Sequence, residues 1–352
     1  MTRQMSAMRI HHLGVLSRGF NGLRLDTLPV PEPSQGEVQI RVSACGVCHT
    51  ELDEIEGRSR PAHLPMTPGH QVIGTVVAEG QGCRLGLLGK TVGVAWIHSA
   101  CGRCAYCRNE LENLCPGFLA SGRDRPGGYA EFMTAPENYV YEIPAMIPDY
   151  SAAPLLCAGA VGYRALRLAR LKNGDRLGLT GFGASGHLVL KMAHHLFPTS
   201  PIHVFARSAE ERQFAIELGA CWVGDIEDQP PKPLDAVIDT TPAWLPLISA
   251  LDALGSGGRL VVNALRKEVA DHAVLGQLDY ERHLWREKSI QTVANVTRAD
   301  VLGLLQLAVE IPLLPEVTEY PLDHALEALL AIKAGHLRGA LVLRVQQPGG
   351  ST

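Results

Sequence analysis

The sequence predicts an α/β protein in two parts, a β-rich, barrel-like first unit followed by a doubly wound parallel sheet. The first 150 residues alternate apolar and polar positions among frequent Gly and Pro, as in Glu37–Ser43 and Gln71–Ala78. That period of two is the pattern of half-buried strands. From Pro154 onward, short β-branched runs are separated by long helical stretches, the alternation that builds a parallel sheet. At 352 residues the chain is also longer than a single hydrophobic core usually serves, so two domains are expected.

Within the first part, Cys45-Gly46-Val47-Cys48-His49-Thr50-Glu51 packs thiol, imidazole, hydroxyl and carboxylate into seven residues. Such a set suits half of a catalytic metal site, because a zinc ion that acts on a substrate takes three protein ligands and keeps one position open. Alone, the stretch favours the plainer reading of a buried, inert cysteine beside a helix start. Pro68-Gly69-His70-Gln71 and Leu155-Leu156-Cys157-Ala158-Gly159 tip the balance towards metal. A second cluster, Cys101, Cys104, Cys107 and Cys115, places four thiols within fifteen residues, close enough to converge on one tetrahedral ion at ~2.3 Å per bond. Zinc, an iron–sulfur cluster and chance disulfides compete there. The last gap of seven residues departs from the three-residue gap of the ferredoxin run and favours zinc. Four thiolates leave no place for substrate, so this ion would hold a loop too polar to fold alone.

In the second part, strands are expected at Asp175–Thr180, Ile202–Ala206, Ala236–Asp239, Arg259–Asn263 and Ser289–Val293. Between the first of these and the helical run Leu188–Leu196 lies Gly181-Phe182-Gly183-Ala184-Ser185-Gly186, a G-x-G-x-x-G turn in the strand–helix context that dinucleotide binding requires. Glycine lets the backbone approach a pyrophosphate, and the amides at the helix start present positive dipole to it. The next strand ends in Ala206-Arg207-Ser208. An acidic residue there would bind the ribose 2′-hydroxyl and repel a 2′-phosphate; a small residue followed by Arg and Ser points to NADP(H) over NAD(H). Arg207 as a plain surface arginine, with NAD accepted without an acidic anchor, is the alternative. Two amphipathic helices, Arg298–Glu310 and Leu322–Ala334, and a last strand, Leu341–Val345, are expected to return to the first part.

Composition removes several functions. Net charge is −4 with scattered Lys and Arg, which leaves no basic stripe for nucleic acid and no polybasic membrane patch. The N-terminus lacks a secretory pattern and the longest apolar run, Val301–Pro315, is too short to span a bilayer. Nine cysteines, mostly in tight clusters, suit metal binding in a reducing compartment. The cytoplasm is the expected location. Cys45, Cys83 and Cys221 fall outside the clusters and are read as buried apolar residues.

With these features in order, the chain resembles the zinc-dependent alcohol dehydrogenases of the medium-chain dehydrogenase/reductase family, bacterial type, over nearly its whole length. The motifs that carry the resemblance are Cys45–Thr50, Pro68–His70, Trp96–Gly102, Gly127–Phe132 and Cys157. It implies a GroES-like catalytic domain over 1–156, with a structural zinc lobe at 96–117, a Rossmann domain over 157–296 and a return segment over 297–352. Two zinc ions per chain are implied. Cys48, His70 and Cys157 would ligate the catalytic one, and Cys101, Cys104, Cys107 and Cys115 the structural one. Thr50 would accept the proton of an alcohol substrate, His49 would meet the cofactor pyrophosphate, and Glu51, where the family usually has Asp, would orient His70. Family members of bacterial origin are commonly tetramers, so the resemblance implies a homo-oligomer, tetramer or dimer.

Three other positions depart from the family pattern. Gln71 replaces the glutamate after the ligand histidine. Asp53 replaces the histidine that ends the proton relay in many members, and is a poorer base near neutral pH. Arg338 is a weak counterpart of a pyrophosphate-binding arginine. The function implied is interconversion of a primary alcohol and an aldehyde. A zinc-free quinone or enoyl reductase and a non-catalytic nucleotide-binding protein are the alternatives.

Overall fold

An antiparallel hairpin of β1 (Gln4–Ile10) and β2 (Leu23–Pro29) opens the chain. In β3 (Glu37–Val47), Val38, Ile40 and Val42 turn inward while Gln39, Arg41 and Ser43 turn outward, as the period of two requires. The last four residues of β3 are buried on both faces, which carries Cys45 and the start of the next helix into the interior. Then follow β4 (Val72–Glu79), β5 (Thr91–Val94), the short pair β6 (Ile97–Ser99) and β7 (Leu119–Ala120), β8 (Phe132–Pro136) and β9 (Val140–Glu142). This computed structural model describes residues 3–183, 185–335 and 339–345.

The second unit, Ala158–Ala294, holds β10 (Leu177–Thr180), β11 (Ile202–Phe205), β12 (Trp222–Gly224), β13 (Leu234–Asp239), β14 (Leu254–Val262) and β15 (Ser289–Thr292). All pair in parallel in the order β12-β11-β10-β13-β14-β15. Every residue of β10 and β11 is buried, as expected for parallel strands covered on both faces by helices. This is the predicted doubly wound sheet. β15 is an edge strand with all four residues exposed.

Beyond residue 295 the chain rejoins the first unit. The helix Arg298–Glu310 leads to β16 (Val317–Pro321), which the sequence reading had no place for, and to β17 (Ala340–Arg344). The expected helix Leu322–Ala334 divides into a 3-10 turn, Leu322–His324, and an α-helix, Ala325–Ala334. β17 pairs with β3, completing the sheet β16-β17-β3-β4-β5-β9, with β8 also on β3. One core therefore joins Ile10, Val38, Ile40 and Val72 to Leu329, Ile332, Leu341 and Leu343, so this unit needs both ends of the sequence. No helix among the described residues is long and apolar enough to cross a membrane.

Candidate active site

β3 runs directly into the helix His49–Ile55, whose N-cap is Cys48. The Cys48 sulfur accepts from the Thr50 amide at 3.3 Å, and Glu51 Oε2 accepts from the Cys48 amide at 2.9 Å. This reciprocal capping box fixes the cysteine at the helix start. The other oxygen of the same carboxylate, Glu51 Oε1, lies 2.5 Å from His70 Nδ1. One side chain thus holds the backbone of Cys48 and the ring of His70 together. With one methylene more than the aspartate usual at this position, Glu51 reaches both.

With Nδ1 engaged, His70 Nε2 is buried without a hydrogen-bond partner. Cys157 arrives from a π turn, Leu155–Gly159, that follows Pro154. Metal-ligating atoms of Cys48, His70 and Cys157 all lie within 4.8 Å of one another. A buried, unpartnered imidazole nitrogen beside two sulfurs, with its second nitrogen on a carboxylate, is the donor set of a carboxylate–histidine–zinc centre. The residues fit the metal. The Cys157 sulfur beside it, then burial, then Glu51, hold the Cys48 thiol well above its ordinary range. Burial lowers His70, but Glu51 and the Cys48 sulfur outweigh it and raise the imidazole well above its usual pKa. A divalent cation inverts this balance and favours thiolates and a neutral ring.

Around this centre, the Thr50 hydroxyl lies 3.3 Å from the Cys48 sulfur and is buried. His49 is exposed at the first helical residue. Asp53 is buried against Arg58, whose Nε donates to Oδ1 at 2.5 Å, so its carboxylate is engaged elsewhere. Gln71 is buried, and its side chain lies where a Cβ on Gly46 would fall, 2.6 Å from Oε1. Trp96 packs at a tilt against Phe118 with ring centroids 5.1 Å apart, and the Arg123 guanidinium covers it at 5.0 Å.

The four-cysteine lobe is formed as well. Cys104 and Cys107 sulfurs are 3.5 Å apart, and Cys101 and Cys107 sulfurs 3.9 Å. These spacings match the ~3.8 Å edge of a tetrahedron with ~2.3 Å metal–sulfur bonds and are too long for disulfides. Backbone amides of Cys101 and Gly117 donate to the Cys115 sulfur. Amides of Arg103 and Cys104 lower the Cys101 thiol to about 6. Cys45 is buried as expected, whereas Cys83 is half-buried and Cys221 exposed. Those two thiols point at the carbonyls of Glu37 and Ile202, each at 3.2 Å: both sit in loops, where spacing carries no burial signal.

In the second unit, the three fingerprint glycines have separate tasks. Gly181 has φ +80°, and a Cβ there would lie 2.8 Å from both Thr240 Oγ1 and Thr241 Cγ2. Gly183 has open space, and a Cβ on Gly186 would lie 2.6 Å from the Gly181 carbonyl. Tight turn, open approach and close helix–strand contact are the uses of a dinucleotide fingerprint. Phe182 packs on Phe214 with ring centroids 5.7 Å apart. The Ser185 hydroxyl donates to the Ala158 carbonyl at 3.1 Å. Ala184 and Arg338 lie outside the described residues. Ala206 is buried, Arg207 exposed, and Ser208 caps the helix Ala209–Glu217 by accepting from the Glu211 amide. Sequence reasoning passed over Arg212, whose guanidinium donates to the Ala206 and Arg207 carbonyls at 2.6 and 3.0 Å. Its i+4 spacing from Ser208 was the available signal.

A GroES-like catalytic unit with a Cys2His centre, joined to a parallel dinucleotide-type sheet, defines the class. The family described as the alcohol dehydrogenase GroES-like domain matches residues 34–145. The chain belongs to the zinc-type, medium-chain alcohol dehydrogenase family, NAD(P)-dependent oxidoreductases acting on CH–OH groups. It is 39% identical over 351 residues, 98% of each chain, to "Probable alcohol dehydrogenase AdhA" of Mycobacterium tuberculosis (strain CDC 1551 / Oshkosh). It is 31% identical to an alcohol dehydrogenase of Geobacillus stearothermophilus, covering 95% of this chain and 98% of that one. Among solved structures, a thermostable alcohol dehydrogenase from Pyrobaculum aerophilum matches with a TM-score of 0.85 at 23% identity, over 97% of this chain and 100% of the other.

Proposed function

We propose that the protein is an NADP(H)-preferring, zinc-dependent alcohol dehydrogenase/aldehyde reductase acting on a primary alcohol or its aldehyde. The observation that carries this reading is the convergence of Cys48, His70 and Cys157, within 4.8 Å, around one imidazole nitrogen without a partner. These three residues would hold the catalytic zinc, and Cys101, Cys104, Cys107 and Cys115 a second, structural one. When bound, the zinc supplies a Lewis acid for the substrate oxygen and the nicotinamide a two-electron acceptor for the carbinol hydride. Thr50 Oγ1 takes the hydroxyl proton, Glu51 holds His70 in the tautomer that leaves Nε2 available, and His49 approaches the pyrophosphate. With Asp53 tied to Arg58, Thr50 passes the proton on towards water.

Ala206, Arg207 and Ser208 support the NADP(H) preference: a small residue, an exposed guanidinium and a hydroxyl suit a 2′-phosphate, and Arg212 adds a second cation beside them. Two zinc ions per chain and faster turnover of an aromatic aldehyde with NADPH than with NADH are the expected results. Arg207→Ala should lower kcat/KM for NADPH by about 10–100-fold, the scale of a charge-assisted hydrogen bond, and barely change that for NADH. An unchanged cofactor preference would reject Arg207, and zinc-free activity would favour a reductase of the same superfamily.

The nine free thiols suit the reducing cytoplasm. A homo-oligomer is supported by the second unit alone, where the edge strand β15 has all four residues exposed, Ile290 among them, and Val269, Tyr280 and Trp285 of the same unit are exposed as well. Such an edge invites pairing with a second copy. Sedimentation should find an oligomer that Ile290→Lys dissociates; a monomeric wild type would reject the assembly.

A further inference from the structure

In a doubly wound sheet, ligands bind outside the carboxyl ends of the strands, where the order reverses on either side of the first strand. In this sheet that place is between β10 and β13. Thr180 ends β10, Asp239 ends β13, and the two residues face each other in the register. Asp239 is fully buried. Its Oδ1 accepts from the Thr180 hydroxyl at 2.7 Å, the Thr241 amide at 3.0 Å and the Thr241 hydroxyl at 2.7 Å. Its Oδ2 lies 2.5 Å from Lys267 Nζ, which also donates to the carbonyls of Thr241 at 2.9 Å and Ala243 at 2.7 Å. An ammonium has three donors and no acceptor. All three are taken, so Lys267, although a cation beside the crevice, has none left for a phosphate.

The network continues into the glycine turn. The Thr240 hydroxyl donates to the carbonyls of Thr180 at 3.0 Å and Gly181 at 3.3 Å, and Thr240 and Thr241 pack under Gly181. From the other side, the Asn263 amide donates to the Asp239 carbonyl at 2.7 Å, and Asn263 Nδ2 donates to the Ser185 hydroxyl at 3.2 Å, at the start of the helix Gly186–Leu196. A buried charge pair is an expensive way to stabilise a fold, since apolar residues of similar volume often do as well. A satisfied polar network does, however, impose one geometry on what it touches.

We propose that Asp239 and Lys267 are positioning residues for the dinucleotide: acting through Thr180, Thr240 and Thr241, they fix the Gly181 turn on which the pyrophosphate rests. This rests on the dinucleotide-binding reading above. Because neither charge meets the ligand, losing the pair weakens NAD(H) and NADP(H) equally, unlike the change at Arg207. The test is calorimetric titration of the zinc-loaded protein with NADH and with NADPH, together with zinc content, melting temperature and steady-state KM and kcat. Lys267→Met is expected to weaken both dinucleotides by about tenfold, raising the cofactor KM while kcat at saturation and zinc content are retained. Thr180→Val leaves no unpaired buried charge and is expected to weaken both by about threefold while the protein still folds and keeps its zinc. A loss confined to NADPH in Lys267→Met would make Lys267 a 2′-phosphate ligand and overturn the proposal. So would affinities within about twofold of wild type in Thr180→Val, which decides alone if Lys267→Met does not fold. A wild type that binds neither dinucleotide overturns the underlying reading, whereas variants that bind as wild type overturn only this one.

Discussion

Glu51 shows how much one carboxylate can settle. Its two oxygens reach the Cys48 amide and His70 Nδ1, so the helix cap and the imidazole tautomer are set by a single group. An acid of this kind behind a metal-ligating histidine raises the basicity of the ligand and orients its ring. Glu51→Gln keeps the volume and one acceptor but removes the charge. The expected outcome is catalytic-zinc affinity weakened about 10–100-fold, with the four-cysteine zinc retained. Competition with a chelator, followed by metal analysis, reads this directly: one zinc lost early and one late supports the role, whereas two zincs released as in wild type would not. The sequence pointed to Glu51 by its position but could not say whether its longer side chain reached His70. That depended on the cap at Cys48, because the same bond that starts the helix aims the second oxygen.

At the scale of elements, the four-cysteine lobe has little to hold it besides its sulfurs. Its helix, Ala105–Arg108, buries no residue, and Leu111 and Leu114 are exposed. A buried polar anchor in it is Glu112, whose Oε1 accepts from the Arg298 amide at 2.8 Å and Nε at 3.1 Å. Folding free energy here should come mainly from the metal. Cys107→Ser is therefore expected to reduce zinc from two to one per chain and to make Arg103 and Arg108 about tenfold more sensitive to trypsin, while the Cys48–His70–Cys157 set keeps its ion. An intact lobe in the zinc-depleted variant would show that Glu112 and Arg298 suffice. The lobe was legible because four cysteines at short spacing carry their chemistry in sequence. The π turn that delivers Cys157 was not, since Pro154 signals an irregular helix without saying how the next turn widens.

Over the whole molecule, sheet pattern and fingerprint made the two halves readable, and the return of the last segment to the first part was expected, but the contacts that join these distant segments were not legible. Glu56 illustrates what periodicity cannot reveal: its Oε1 accepts from the Leu16 amide at 2.9 Å and lies 2.6 Å from Lys333 Nζ, joining the N-terminal loop to the returning helix Ala325–Ala334. Burial opposes ionisation there, but Lys333 and Arg58 outweigh it and hold the Glu56 carboxyl down at about 2. In the same unit, burial lowers His98 from 6.5 to about 4. Both folded pKa values lie below their ordinary ones, so both groups contribute stability above the ordinary value and lose it as the pH falls through the folded one. His98 acts first, from 6.5 towards 4, and Glu56 next, from 4.5 towards 2. Each has a slope of at most ~1.4 kcal/mol per pH unit, with the Glu56 part reduced because its cationic partners are partly in water. Urea unfolding at pH 7.5, 5 and 3.5 separates the two from the protonation of the metal ligands by difference. Relative to wild type, His98→Asn should flatten the loss mainly between pH 7.5 and 5, with a smaller part on the way down to about 4, and Glu56→Gln should cost ~1–2 kcal/mol at pH 7.5 with the gap closing below pH 4. A gap for Glu56→Gln that stays constant down to pH 3.5 would mean its contribution is packing and not charge, leaving the apolar core and the β3–β17 pairing to join the two ends of the chain.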